Sequence, residues 1–571
     1  MRVIAAVVVL LLGLTACAVG SSSSSDFNAA VGKVVAPSDA RGGVVHLADS
    51  GDWDSLDPAE SYYAYEMNFA RLYGRSLVAF APSPGADGTK LVPDLASSLG
   101  VASDDARTWT YHLRSGVKFE DGVVVTSKDV KYAVERSLDK STFPAGPSYF
   151  NQYLDLQGYT SPYEDPSPDR LGLRAIETPD DSTIVFHLRQ PFAAFDDVVM
   201  MPPTIPVERA RDTGVDYKKH PLSTGPYQFG TINPGRNFTL VRNPHWDPAT
   251  DPLRRALPDE FDVSLNVNAD DIDQRLIAGD LDLDVTGLGV QAAAQGRILG
   301  DPRLKSNADN AASAREWYTT LNPDVAPLDN IHCRQAVEYA TDHNSLLAAF
   351  GGPFGGDIVT NLQPPIMPGV RTFDPYPSAN HAGDITAARS QLSQCGHPAG
   401  FATTIAYRAE WPREKAAAEA MQQSLSRVGI KLTLKSFPQA DYLRLYVGKP
   451  AYAAANGLGL AVFGWQADWP DGFGYLNQLV DSRAIHPEGG NANLGVRDPA
   501  VDAIVDQANR TPSAAARADI WNEVDRRVMA DAYIVPGIQA KGLLYRPTRL
   551  SNVFVTDAYG MYDYIALGVK R

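Results

Sequence analysis

Two indoles and two carboxylates crowd into one short stretch, Gly464-Trp465-Gln466-Ala467-Asp468-Trp469-Pro470-Asp471. A carboxylate beside an aromatic face can hold an ammonium group by charge and by the ring quadrupole together. That chemistry suits a ligand carrying a free amine and a side chain to pack. Two other readings stay open at this point. The stretch can be an acidic turn with core tryptophans, or Asp468 and Asp471 can act as an acid/base pair on a glycoside. No Gly-x-Ser-x-Gly elbow, His-Glu-x-x-His motif or reactive-looking cysteine supplies a nucleophile elsewhere. The apolar run 458–463 before the cluster predicts a short strand, and 473–480 after it predicts a short helix. The cluster therefore belongs at a strand end.

The rest of the chain must build a body around that end. At 571 residues it exceeds one ordinary core, so two or three domains are expected. Hydrophobic content of 44% and charged content of 21% describe a folded globular protein. A net charge of −16 argues against a nucleic-acid partner. No His or Cys cluster has zinc-ligand spacing, so no metal or other cofactor is expected.

The N-terminus reads as an address. Met1-Arg2 is followed by an apolar run over 3–12 that is too short to span a membrane comfortably. Leu14-Thr15-Ala16-Cys17 resembles the lipobox of bacterial lipoproteins. That resemblance implies cleavage before Cys17 and acylation of its thiol and new amino group, palmitate among the expected chains. Residues 17–42, with serine at 21–25, then predict a flexible tether. Outside the cytoplasm the remaining pair, Cys333 and Cys395, most simply forms a disulfide; two buried free thiols are the alternative. A bond closing so long a loop restricts the unfolded chain by roughly 4 kcal/mol in the chain-entropy model.

Elsewhere the chain exchanges strand and helix patterns, the mark of α/β lobes. Alternation marks strands near 43–48, 109–114, 183–188, 261–267 and 430–434. Helices are expected over 62–77, 329–350 and 411–428, with a short helical piece at 91–96. Thr126 and Asp129 have capping-box spacing ahead of Val130, Ala133, Val134 and Leu138 on one helix face.

The block Trp109-Thr110-Tyr111-His112-Leu113-Arg114-Ser115-Gly116-Val117-Lys118-Phe119-Glu120-Asp121-Gly122, with Thr126 and Asp129-Val130, resembles the signature of family 5 extracellular solute-binding proteins. Leu56-Asp57-Pro58, Ser223-Thr224-Gly225-Pro226-Tyr227, Arg334-Gln335-Ala336-Val337 and Gly464-Trp465 with Asp468 resemble further segments of that family in order. The resemblance implies a class II, two-lobe periplasmic-binding-protein-like fold with an extra domain inserted in the first lobe. Its expected layout is signal peptide 1–16, acylated Cys17 and tether 17–42, lobe I 43–74, extra domain 75–170, lobe I again 171–305, lobe II 306–535 and a return to lobe I over 536–571.

It also implies a receptor that captures peptides in an inter-lobe cleft and hands them to an ABC-type permease. It would work as a monomer anchored by lipid on the extracytoplasmic face of a bacterial membrane. Asp468 then matches the position that holds the peptide's ammonium. Gly464, Trp465 and Gln466 offer backbone and an indole, Asp52 and Trp53 form the opposite wall, and Arg408 takes the terminal carboxylate. Relatives of the same fold carry oligosaccharides, nickel chelates, haem or opines, so another solute is the alternative; an envelope hydrolase is the distant one.

Overall fold

The computed structural model describes residues 27–570. The expected signal peptide and the lipidation site Cys17 lie outside the described residues.

The first lobe is organised on a five-stranded sheet, ordered Leu283–Asp284, Val44–Ala48, Glu260–Ser264, Asn237–Arg242, Tyr227–Asn233. Val44–Ala48 runs parallel to Glu260–Ser264, with Val45 opposite Phe261, and the later pairs are antiparallel. Helix Ala64–Tyr73 covers this sheet with Phe69, Leu72 and Tyr73 buried. It stops at Gly74, shorter than the expected 62–77. Residues 91–93 are extended and pair with Val78–Phe80, where a helical piece was expected.

The inserted domain holds a four-stranded antiparallel sheet, Val101–Ser103, Thr108–His112, Thr183–His187, Ile176–Asp180. Alternation sends Trp109, Tyr111, Ile184 and Phe186 into its core. Helix Ser127–Ser137 packs behind, started by the capping box: Thr126 N–H donates to Asp129 Oδ2 at 2.7 Å. The sheet corrects the expected boundary at 170, since Trp109 sits opposite Phe186. Residues 176–187 belong to the inserted domain because its sheet is incomplete without them.

The second lobe carries six strands, ordered Gly356–Ile358, Ile534–Tyr545, Ala308–Leu321, Leu458–Gln466, Ala402–Arg408, Lys431–Phe437. Two of them are long. Ala308–Leu321 and Ile534–Tyr545 pair antiparallel along most of their length, with an irregularity between Ala312 and Glu316. Their far ends reach the first lobe, where Ala308 and Tyr545 join a core with Ala48, Ile272 and Leu276. A boundary drawn at 535 therefore cuts a continuous strand; the two lobes share this ribbon.

Two local expectations change, and the disulfide is found as expected. The helix expected over 329–350 is two, Ile331–Ala340 and His343–Ala349, because Asp342 turns out to cap the second by accepting from Asn344 N–H at 3.0 Å. Cys333 and Cys395 are disulfide-bonded, their Cα atoms 5.4 Å apart, tying the first of these helices to Ile385–Gln394. The expected tether is bound to the body from residue 27 onward. Ala30 is fully buried with its N–H on Asp309 Oδ1, Val35 bridges Val553, and Ser38 N–H donates to Asn552. Satisfied amides and a buried methyl hold this segment where composition alone reads as a linker. No helix among the described residues is long and apolar enough to cross a membrane.

Candidate functional site

Leu458–Gln466 is buried over its first seven residues, in the burial pattern of a strand covered on both faces. On one side it pairs with the long strand throughout, Gly464 opposite Trp317 and Gln466 opposite Arg315. On the other side the pairing with Ala402–Arg408 stops at Ala461. There Tyr442 takes over, its hydroxyl spanning Val462 O at 2.9 Å and Ala406 O at 3.1 Å. Among the described residues no strand pairs with the outer edge of 463–466. Gly464 is required by packing as well: a Cβ there would stand 2.5 Å from Trp317 Cε3.

Beyond the strand end the chain turns through Asp468 into helix Gly472–Val480. The two carboxylates of the cluster part company. Asp471 is the helix N-cap, accepting Phe473 N–H at 2.9 Å, and meets Arg517 at 3.4 Å. Its two oxygens are thus engaged in capping the helix and in the contact with Arg517. Asp468 instead faces the other body. Tyr149 of the inserted domain donates its hydroxyl to Asp468 Oδ2, and Tyr62, just ahead of the first-lobe helix, donates a second hydrogen bond.

Among the described residues no Lys, Arg or His forms an ion pair with Asp468. Burial pushes its carboxyl up to about 6, and the two phenols hold it from rising further. The surrounding seam is aromatic. Tyr149 lies edge-on to Trp469 at 4.8 Å, and Phe192 meets Phe473 at 4.6 Å. Ala193 N–H donates to Asn509 O across it at 2.7 Å. The structure is thus a closed arrangement with Asp468 at the meeting surface.

The remaining predicted residues divide. Trp465 is half-buried beside Phe463, and its indole N–H is buried without a hydrogen-bond partner. Trp469 is core, stacked on Phe473. Asp52 and Trp53 are not brought to Asp468. Asp52 is exposed and accepts Trp53 N–H at 2.9 Å. Trp53 turns inward onto Tyr65, Phe69 and Phe238, with its ring N–H on Ser55 O. Trp53 remains half-buried there, packed against the edge of the first-lobe core.

Arg408 does reach the inner face, stacked over Trp411 at 4.4 Å and near Phe463 at 5.5 Å. Its guanidinium is already paired with Glu414, Nε to Oε1 at 2.8 Å, and its backbone N–H donates to the same carboxylate. Burial keeps the Glu414 carboxyl above its ordinary range even so. This corrects the expectation of Arg408 as a free carboxylate anchor. Tyr62, Tyr149, Arg315 and Glu414 were not singled out from sequence. The Arg408–Glu414 spacing across a helix start was the one local signal available.

A family profile described as "Bacterial extracellular solute-binding proteins, family 5 Middle" matches residues 90–486. The solved structure of "Clavulanic acid biosynthesis oligopeptide binding protein 2" is 42% identical with a TM-score of 0.93, covering 96% of this chain and 99% of its own. The "Probable D,D-dipeptide-binding periplasmic protein DdpA" of Escherichia coli K12 is 26% identical over 89% of this chain and 92% of its own length. The "Heme-binding protein A" of Haemophilus influenzae is 25% identical over 88% and 87%.

Proposed function

Because the chain belongs to the bacterial extracellular solute-binding proteins of family 5, we propose that it captures short peptides between its lobes and presents them to an ABC-type permease. The observation that carries this reading is Asp468, a carboxylate at the seam of two bodies that meets phenols and, among the described residues, no cation. A peptide's α-ammonium supplies the missing charge. The unpaired outer edge of 463–466 supports the same ligand, since an extended chain can add to it through its own amides. Trp465 would pack on the first ligand residues.

Closure follows from the same contacts. Only a ligand that touches both bodies favours the shut state, and Asp468 lies where both meet. The relatives named for oligopeptide and dipeptide binding agree with this choice. Cys17, acylated, would hold the body at the outer face of the membrane through two or more chains, each methylene adding about 0.8 kcal/mol.

Native mass spectrometry of protein purified without denaturation tests the ligand class. Adducts with the masses of short peptides are expected. Adducts with oligosaccharide or tetrapyrrole masses would overturn the proposal.

A further inference from the structure

Arg315 stands one cross-strand pair away from the ligand segment, opposite Gln466 on the long strand. It falls in the irregular stretch between Ala312 and Glu316, where pairing to Ile534–Tyr545 slips. Such a slip re-aims a side chain out of the regular alternation. Its guanidinium lies 5.6 Å over the Trp317 ring, yet among the described residues it has no carboxylate within ion-pair distance and no hydrogen-bond acceptor. The nearest charges make its position worse. Arg408 is beside it, and the Glu414 carboxylate is occupied by Arg408. Burial first, then Arg408, pull the Arg315 guanidinium down from its ordinary value. Glu316 gives no relief, since it is fully buried on the side of Asp525 and Gly537.

The donors around it are unsatisfied too. The Tyr318 and Tyr475 hydroxyls and the Trp465 indole N–H are buried without partners, and both phenols interact electrostatically with Arg315. Two guanidiniums against one carboxylate leave one positive charge over. Arg315 itself is half-buried, and a cation so placed with no partner of its own is open to an anion that a ligand supplies.

We propose that Arg315 is a specificity residue that receives a carboxylate of the bound ligand, so that the receptor selects peptides with an acid group set a short span from the amine. This rests on the reading of Asp468 as the ammonium site. Ala467 N–H donates to Ala314 O at 2.9 Å, which fixes the two segments side by side. Asp468 lies two residues past Gln466, just beyond the strand end, so its Cα is on the order of 10 Å from that of Arg315. Two or three extended residues cover that span at about 3.4 Å each. The carboxylate can be the C-terminus of a di- or tripeptide or an acidic side chain of a longer one.

The test uses the full chain, wild type and with Arg315→Gln, Arg315→Lys or Asp468→Asn, in competition binding by tryptophan fluorescence. The probes are a tripeptide library as free acids, the same library as C-terminal amides, and amides with glutamate at the third position. Arg315→Gln is expected to lose affinity for the free acids roughly 10- to 100-fold, with Arg315→Lys between, and wild type should prefer acids to amides. Binding restored by the glutamate amides assigns the carboxylate to a side chain; failure to restore assigns it to the C-terminus. The ligand-free melting temperature of Arg315→Gln should stay close to that of wild type, because the half-buried guanidinium makes no ion pair in the free protein; a marked fall would assign Arg315 a structural role and overturn the proposal. Equal binding of acids by wild type and Arg315→Gln would overturn it while a loss in Asp468→Asn left the peptide reading standing. No binding of any library to wild type would overturn both.

Discussion

Asp468→Asn separates ligand recognition from fold stability, and the structure sets the sizes. The carboxyl titrates at about 6 instead of 3.8. Held there, the ionised form is on the order of 3 kcal/mol less favourable in the closed, ligand-free protein than in water. Because the folded value is raised, protonation favours the folded state: the stability present at low pH is lost as pH rises through about 6. Asparagine keeps an oxygen for the Tyr62 and Tyr149 hydroxyls and removes the charge. The variant should therefore melt at or slightly above wild type at pH 7.5, with the difference vanishing near pH 4. Ligand affinity should move the other way. Removing one partner of a buried ion pair costs roughly 3–5 kcal/mol, so peptide binding should weaken by about two to three orders of magnitude. Wild-type affinity should also fall below pH 6, by up to about tenfold per pH unit as the proton competes with the ammonium, and this slope should be absent in the variant. Titration calorimetry from pH 5 to 8 measures both. Equal affinity in the two proteins, or the same pH slope in both, would refute the assignment.

Other consequences can be checked alongside. Tyr149→Phe removes a hydrogen bond that favours the charged carboxylate, so the midpoint of the pH-dependent affinity should move above 6 in the same calorimetric series. Cys395→Ser, with Cys333→Ser, opens a loop of 62 residues and should reduce unfolding stability by up to about 4 kcal/mol; denaturant titration should show this while peptide affinity stays within twofold. Cys17→Ala should move the expressed protein from the detergent phase to the aqueous phase in a cloud-point partition. Retention in the detergent phase would remove the lipid anchor.

What could be read in the chain beforehand depended on how local the physics was. The capping box at Thr126 and Asp129 involves neighbours three apart and appears as expected. Trp109 and Tyr111 alternate into a core because a strand leaves them no other face. Asp468 was singled out through the pattern around it, and its place between the lobes through the family resemblance, but its partners Tyr62 and Tyr149 come from distant segments and left no local trace. Arg315 lies in a strand whose irregularity only the pairing reveals. Trp53, taken from the resemblance as a wall of the cleft, packs on Phe69 and Phe238, contacts that no local pattern announces. The tether was misread from residue 27 onward because bonds to Asp309 and Asn552 leave no periodic trace.

The most direct measurement is a crystal structure of the receptor with a bound peptide. The account predicts the peptide's α-nitrogen within hydrogen-bonding distance of an Asp468 oxygen, with its backbone along 463–466. A peptide seated elsewhere, with Asp468 still held only by Tyr62 and Tyr149, would contradict it.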